Sequence, residues 1–238
     1  MQNITAILKK EFRSYFNSPI AYIFITFFLG ISAWLFFQNF FIVNQAEMRS
    51  FFGLMPWIFL FFIPAVTMKL WSEEKKIGTI EILMTLPIRD YEVVVGKFLA
   101  SFALLAVTVL LTLVIPFSVM SLGNPDVGTL IAGYIGLLLM GGAYIAIGFF
   151  ASTLTENQII AFIIGIVVCL VLLLIGEDFV LFKTPNWLFP IFSYLGLGAH
   201  YSSILRGVLD SRDIIYYLSL IGFFLYLSTL AVESRKWR

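Results

Sequence analysis

Charged residues are scarce in this 238-residue chain. Asp, Glu, Lys and Arg together make up 12% of it, whereas soluble domains contain about 25%. Fifteen Lys and Arg residues nearly balance fourteen Asp and Glu residues, so the chain has no basic excess with which to bind nucleic acid. Hydrophobic residues make up 61% of the sequence. These proportions exclude a water-soluble enzyme, a disordered tail and a nucleic-acid-binding protein, and they predict an integral membrane protein.

Cysteine and histidine are nearly absent as well. The single cysteine, Cys169, lies in an apolar run, and the single histidine is His200. A disulfide framework or a cysteine-based metal site needs several cysteines, and a histidine cluster needs more than one histidine. The sequence therefore predicts no metal site on this chain.

Six charge-free stretches are long enough to cross a membrane. A spanning helix needs about 20 apolar residues, and a charge at the centre of the bilayer costs several kcal/mol. The stretches predict helices near 20–42, 51–69, 97–122, 128–152, 158–176 and 214–232. We therefore expect an all-α, polytopic membrane protein with six transmembrane helices, forming a single domain over residues 1–238.

A further charge-free stretch, 184–205, is interrupted by Pro185, Pro190, Gly196 and Gly198. Helix breakers are tolerated at membrane depth where surrounding protein buries the freed backbone, so this stretch predicts a broken, half-inserted helical hairpin. Six spans with a cytoplasmic N-terminus leave only four of the fifteen basic residues outside. The positive-inside rule favours that arrangement over seven spans, and it places both termini in the cytoplasm.

The first nineteen residues predict an interfacial helix. Their apolar residues share one helical stripe, formed by Ile4, Ile7, Leu8, Phe12, Tyr15 and Phe16. Lys9, Lys10 and Arg13 lie on the opposite side, where they can approach anionic lipid. We expect this helix to lie flat on the inner surface of the bilayer. Trp71 and Trp237 are expected at the inner interface, and Trp187 at the outer one.

The connection 69–97 holds ten charged residues, five of each sign. Its pattern predicts a charged turn at 73–76 and an amphipathic helix over 79–86 that Pro87 ends, with Asp90 capping the next helix. The residues alone leave two interpretations open. The helix either docks a cytoplasmic partner or only shields the bundle from water.

The segment EEKKIGTIEILMTLPIRDYEVVVGK resembles the signature of ABC-2 type transporter permeases, which has an acidic pair, Gly-Thr, Glu, Leu, Pro and Gly-Lys. The resemblance extends to KKEFRSYFNSPIAY, PWIFLFFIPAVTMKLW, ASTLTENQIIAF and RDIIYYLSLIGFFLYLSTLAVESRKW, and so covers nearly the whole chain. Within this family, the chain resembles the permease subunit of the gliding-motility-associated ABC transporter. It is also similar to the permease of the nitrous-oxide-reductase maturation system.

The resemblance implies a permease of a bacterial inner membrane that is not itself an enzyme. It would use ATP and Mg²⁺, bound and hydrolysed on a separate ATP-binding subunit, for export or for mechanical work. A second permease protomer and an accessory membrane protein with a large extracytoplasmic domain are further expected partners.

The resemblance also implies roles for parts of the chain. An elbow helix would occupy residues 1–19, a cytoplasmic coupling region residues 70–96, and outer-face helices residues 177–213. The expected ATPase-coupling residues are Glu73, Glu74, Gly78, Thr79, Glu81, Leu83, Pro87 and Lys97, with Glu74 and Glu81 as ion-pair partners of the ATPase. Trp187, His200 and Tyr201 would contribute to an outer gate.

Three other chemistries are less consistent with the sequence. A phosphate-binding loop needs Gly, four residues and Gly-Lys-Ser/Thr, whereas Gly96–Lys97 is followed by Phe98. An intramembrane serine protease would have to use Ser32 with His200. An ion-coupled secondary carrier usually keeps an ionisable residue inside a span, and the charge-free windows contain none.

Two polar or small-residue features allow alternative interpretations. Gly141, Gly142 and Gly148 in the fourth span favour close helix packing, although they could also line a substrate path. The inner turn at 156–158 could cap the fifth span or contact a partner. Nothing in the sequence identifies a transported substance.

Overall fold

The computed structural model describes residues 2–43, 47–80, 87–123, 125–182, 184–185 and 187–234, and all regular elements in these ranges are helices. The helices are α1 (Gln2–Asn17), α2 (Pro19–Val43), α3 (Arg49–Thr67), α4 (Lys69–Ile77), α5 (Asp90–Leu111), α6 (Val114–Leu122), α7 (Val127–Leu154), α8 (Gln158–Leu174), α9 (Asp178–Leu181), α10 (Phe189–Leu195), α11 (Leu197–Ile204) and α12 (Ser211–Glu233).

Five segments are long and apolar enough to cross a bilayer: Ala21–Gln38, Arg49–Ile77, Asp90–Leu122, Val127–Leu154 and Ser211–Glu233. The remaining predicted span corresponds to α8, which has 17 residues and so lies at the short end of the range of about 17–25. The all-helical, multi-pass prediction is therefore confirmed. A sixth crossing remains a prediction.

The charged turn predicted at 73–76 is wrong, because these residues lie inside α4. Glu and Lys are good helix formers, and α4 follows α3 after the single residue Met68. The prediction that Asp90 caps the following helix is also wrong. Arg89 occupies the cap position, and its backbone N–H donates to Glu92 Oε2 at 3.2 Å. The helix predicted over 79–86 lies mostly outside the described residues.

Helix α7 forms the centre of the bundle and packs against α3, α5, α8 and α12. Its glycines face neighbouring side chains closely: Gly141 faces Leu105, Gly148 faces Thr67, and Gly133 faces the ring of Phe52. A side chain at any of these positions would collide with its neighbour. The packing interpretation of the small residues in the fourth span is therefore supported by direct contacts.

Polar side chains start α7 and α8. Asp126 Oδ1 accepts the N–H of Gly128 at 3.0 Å, and Asp126 Oδ2 accepts the hydroxyl of Thr129 at 2.6 Å. These hydrogen bonds stabilise the ionised carboxylate and lower its pKa below the ordinary value. Asn157 Oδ1 accepts the N–H of Ile159 at 2.9 Å, which gives the turn at 156–158 a capping role for α8.

The connection between α8 and α12 contains α9, α10 and α11. Its helix breakers mark the boundaries, since Pro190 lies in the first turn of α10 and Gly196 separates α10 from α11. A methyl group on Gly176 would lie 2.8 Å from the Cα of Gly196. Two glycines therefore allow this connection to fold back against the end of α8, and α11 packs on α7, α8 and α12.

The contact at Gly133 can be tested by adding one methyl group. Gly133→Ala places a carbon 2.5 Å from the Phe52 ring, and Phe52 is fully buried. Overpacking of this kind costs about 1–3 kcal/mol, so we expect a lower melting temperature in detergent.

Gly222→Ala is the matched control, because a Cβ at Gly222 meets nothing within 4 Å. Alanine is the better helix former, so this control should melt at or above the wild-type temperature. Equal losses in both variants would contradict tight packing at Gly133.

Candidate functional site

A polar cavity of about 290 Å³ lies between α1, α4 and the first turns of α5. We call this end of the bundle the lower end, and the end that holds α9, α10 and α11 the upper end. The charged residues that line the cavity are three basic and three acidic side chains, namely Lys10, Lys69, Lys97, Glu11, Glu73 and Glu74. The cavity therefore balances its charges within a single chain.

Lys97 is the central residue of this site. Its side chain is 2% exposed, and its ammonium nitrogen lies 2.6 Å from Glu74 Oε1, 3.2 Å from the carbonyl oxygen of Leu70 and 3.5 Å from Glu11 Oε1. A buried ammonium group is stable only when acceptors replace its hydration. Lys97 therefore ties α5 to both α4 and α1.

Trp71 belongs to the same site. Its side chain is 0% exposed, its ring stands edge-on to Phe149 of α7, and Lys97 Nζ lies 5.2 Å from the ring centroid. The prediction that Trp71 lies at the lipid interface is therefore wrong. Because α4 packs along α7, its apolar face is covered by protein and not by lipid headgroups.

A second lysine joins α4 to the central helix. Lys75 is buried, and its ammonium group donates to the carbonyl oxygen of Thr153 in the last turn of α7. The last carbonyl groups of a helix have no partner within the helix, and a cation there also interacts favourably with the helix dipole. Helix α4 is thus bonded to α5 through Lys97 and to α7 through Lys75.

Helix α1 follows α5 turn by turn. Asn3 donates to Glu92 at 3.0 Å, and Tyr15 and Ser101 share a hydrogen bond of 2.9 Å. Between these contacts Ile7 packs over Gly96, where a Cβ would lie 2.8 Å from the Ile7 side chain. The apolar side of α1 that carries Ile7 and Tyr15 therefore packs on α5. That α1 lies flat on the inner surface of the bilayer remains a prediction.

Lys9, Lys10 and Arg13 of α1 are all exposed, and Lys10 also lines the polar cavity beside α4. Trp237 lies outside the described residues.

The predicted coupling residues divide into two groups. Glu73, in the middle of α4, is exposed, as are Gly78, Thr79 and Pro87 beyond the end of α4. Glu74 and Lys97 instead point inward and bind each other. Gly78 ends α4 with a φ of 78°, a left-handed conformation that favours glycine. Glu81 and Leu83 lie outside the described residues.

Sequence reasoning missed Glu11 and Lys75. Glu11 could have been found from its four-residue spacing with Asn3, Ile7 and Tyr15, since these four positions share one face of a helix. No comparable signal in the sequence indicates that Lys75 reaches Thr153, 78 positions away along the chain.

The sequence matches the family described as ABC-2 family transporter protein over residues 5–232. This match runs from α1 to the last turn of α12 and includes the whole lower-end site. The chain belongs to the ABC-2 transporter family. A comparison with curated proteins finds no match.

As an ABC-2 transporter, the chain is the membrane-embedded permease component of an ABC transporter, and members of this family are generally non-catalytic. The described residues include no group of three or more His, Cys, Asp or Glu that could hold a metal ion.

The Ser–His pair of a protease does not form in the described part of this ABC-2 transporter. The Ser32 hydroxyl donates to Leu29 of its own helix at 3.2 Å, and both ring nitrogens of His200 lie within hydrogen-bond distance of Asp213 and Tyr194.

The three residues of the expected outer gate have different environments. Trp187 is 73% exposed, whereas His200 and Tyr201 are buried. The Tyr201 hydroxyl donates to the carbonyl oxygen of Phe52 in α3 at 3.0 Å. His200 and Tyr201 therefore hold α11 in the bundle of the ABC-2 transporter, and Trp187 lies on its surface.

The Lys97–Glu74 pair can be tested with a double-mutant cycle. Lys97→Met removes the cation and leaves Glu74 without its partner, and breaking a buried pair in this way costs about 3 kcal/mol. Lys97→Met together with Glu74→Met removes both charges, so the double variant should lose less stability than the sum of the two single losses. Unfolding of the ABC-2 transporter in detergent measures these losses. Strict additivity would contradict the pair.

Proposed function

We propose that this chain is the permease subunit of an ABC transporter in which a separate subunit binds ATP and Mg²⁺ and drives movement of α4. The observation that carries the proposal is the double attachment of α4, through Lys97 to α1 and α5 and through Lys75 to α7. A helix fixed in this way would pass a displacement to three other helices.

The docking surface in this proposal is the exposed side of the second half of α4, from Glu73 onward, and the segment that follows it. Glu73, Lys76 and Thr79 are exposed there, and beside them the apolar side chain of Ile77 is 65% exposed. An apolar residue surrounded by charges is consistent with a protein contact. Gly78, Glu81, Leu83 and Pro87 complete the docking surface in this proposal, whereas Glu74 and Lys97 act behind it as positioning residues.

The turn at 156–158 belongs to the same surface in this proposal. Lys76 lines a polar depression together with Glu156, Asn157 and Gln158, so α4 and the turn between α7 and α8 face one side of the molecule. A partner bound there would contact both segments that the Lys75–Thr153 hydrogen bond joins, namely α4 and the end of α7. Displacement of α4 would then reach α7, which packs against α3, α5, α8 and α12.

The wider assembly in this proposal contains a second permease protomer, because the six predicted spans would form half of the usual translocation unit. We place the chain in a bacterial inner membrane with both termini in the cytoplasm, and its lower end would then face the ATPase. The branch associated with gliding motility would add an accessory membrane protein with a large extracytoplasmic domain. In that setting the complex either exports a substance or performs mechanical work.

The docking surface is tested by reversing a charge and removing an apolar contact. Glu73→Lys combined with Ile77→Ser should weaken co-purification of an ATP-binding subunit in mild detergent. We expect a loss of about tenfold, which corresponds to 1.4 kcal/mol. Mass spectrometry identifies the co-purified subunit, and the melting temperature shows that the permease remains folded.

The matched control makes the same two changes at the upper end. Glu47→Lys combined with Val208→Ser reverses an exposed acidic residue and removes an apolar side chain that is also 65% exposed. This control should retain full association. Equal association of both variants would contradict the proposed surface, and transport by the purified chain without any ATPase would favour a carrier.

A further inference from the structure

The upper end contains a buried cluster around the only histidine of the chain. His200 Nδ1 lies 2.6 Å from Asp213 Oδ1, and His200 Nε2 lies 2.9 Å from the carbonyl oxygen of Tyr194. The imidazole ring stacks on Tyr216 with the ring centroids 3.9 Å apart. The cluster thereby joins α10, α11 and α12.

The number of protons in this cluster follows from its hydrogen bonds. A carbonyl oxygen can only accept, so Nε2 must carry a hydrogen to bond Tyr194. The second bond, between Nδ1 and Asp213, also needs a proton, which resides on the imidazole or on the carboxyl group. A neutral imidazole beside an ionised carboxylate holds one proton too few to make both bonds.

The net charge of the His200–Asp213 pair also indicates that the pair holds one additional proton. The side chains of His200 and Asp213 are only 10% and 7% exposed, and Asp213 Oδ2 is buried with no hydrogen-bond partner among the described residues. Within the described part of the chain, His200 is the only cationic group within ion-pair distance of Asp213. A buried carboxylate without a countercharge is costly, and one additional proton makes the pair neutral overall.

The other titratable groups near the pair do not supply this charge. Tyr194 of α10 and Tyr216 of α12 contact the imidazole ring. Glu177, which follows α8, lies against Gly198, and it is acidic. Tyr217 of α12 interacts with Asp213, and its own further neighbours are the phenols Tyr144 of α7 and Tyr201 of α11.

We propose that His200 and Asp213 form a buried proton-binding site that fastens α10 and α11 to α12. When the pair holds its additional proton, both hydrogen bonds form and α11 remains seated over Gly136 of α7. When the proton leaves, one of the two bonds breaks and an uncompensated carboxylate remains, so α10 and α11 loosen. This inference does not depend on the proposed partner ATPase.

The chain allows a direct test because it contains one histidine. Histidine labelled with ¹⁵N in the full-length protein in nanodiscs reports only His200, and its spectrum against pH shows where the additional proton is lost. Hydrogen exchange of residues 189–204, normalised to peptides from α7, shows where α10 and α11 loosen. We expect the pH midpoint of the ¹⁵N spectrum to coincide with the pH midpoint of hydrogen exchange. Across this midpoint the normalised exchange rate should rise at least about tenfold, which corresponds to 1.4 kcal/mol in the free energy of local opening.

Two variants separate a proton site from ordinary packing. In Asp213→Asn the side-chain amide can donate to Nδ1 of a neutral imidazole, so both hydrogen bonds persist and the pH-dependent step in exchange should disappear. His200→Phe cannot form either bond and should show high exchange at every pH. An unchanged step in Asp213→Asn overturns the proposal, as does a wild-type protein in which 189–204 stays protected after His200 loses its proton. The comparison of proton loss with hydrogen exchange in the wild-type protein tests the proposal even if a variant fails to fold.

Discussion

A buried ammonium group, that of Lys97, holds the helices at the lower end of this ABC-2 transporter together, because it needs the acceptors that these helices provide. The ammonium group of Lys97 is surrounded by oxygens of Glu74, Glu11 and the carbonyl group of Leu70 in place of water. A movement that removes these oxygens would leave a buried charge unpaired, which is strongly destabilising. Helices α1, α4 and α5 are therefore constrained to move together. The Gly-Lys pair of the family signature has a structural meaning here, because Gly96 admits Ile7 of α1 and Lys97 binds α4.

The connection from the lower end to the rest of the molecule runs through α7. Lys75 binds the last turn of α7, and the glycines along α7 bring its backbone close to α3 and α5. Close packing of this kind transmits displacement because it leaves little room for side chains to adjust. At the upper end, Tyr201, Tyr216 and Tyr217 bond backbone carbonyl oxygens of α3, α10 and α11, so the two ends are held by different chemistry.

The sequence was sufficient for features that depend on local pattern. Charge-free length predicts the helices, and the spacing of Ile4, Ile7 and Tyr15 predicts the protected face of α1. Features that depend on distant partners cannot be predicted in this way. The aromatic-belt rule places Trp71 at the lipid interface, because a local pattern does not indicate that α7 covers its ring. The charge pattern predicts a turn at 73–76, because the partners of Glu74 and Lys75 lie 23 and 78 positions away.

The central claim is that α4 moves as one body with α1, and it is tested by the distance between these two helices. Cysteines introduced at the exposed position Lys9 and at Lys69, a partly exposed residue in the first turn of α4 outside the docking surface, accept spin labels after Cys169→Ala for pulsed electron-electron distance measurements. The account predicts one narrow distance distribution, unchanged when the co-purified ATPase is trapped with an ATP analogue and broadened only by Lys97→Met. A wild-type distance that changes on nucleotide binding would contradict the account, and so would a Lys97→Met variant that keeps the narrow distribution.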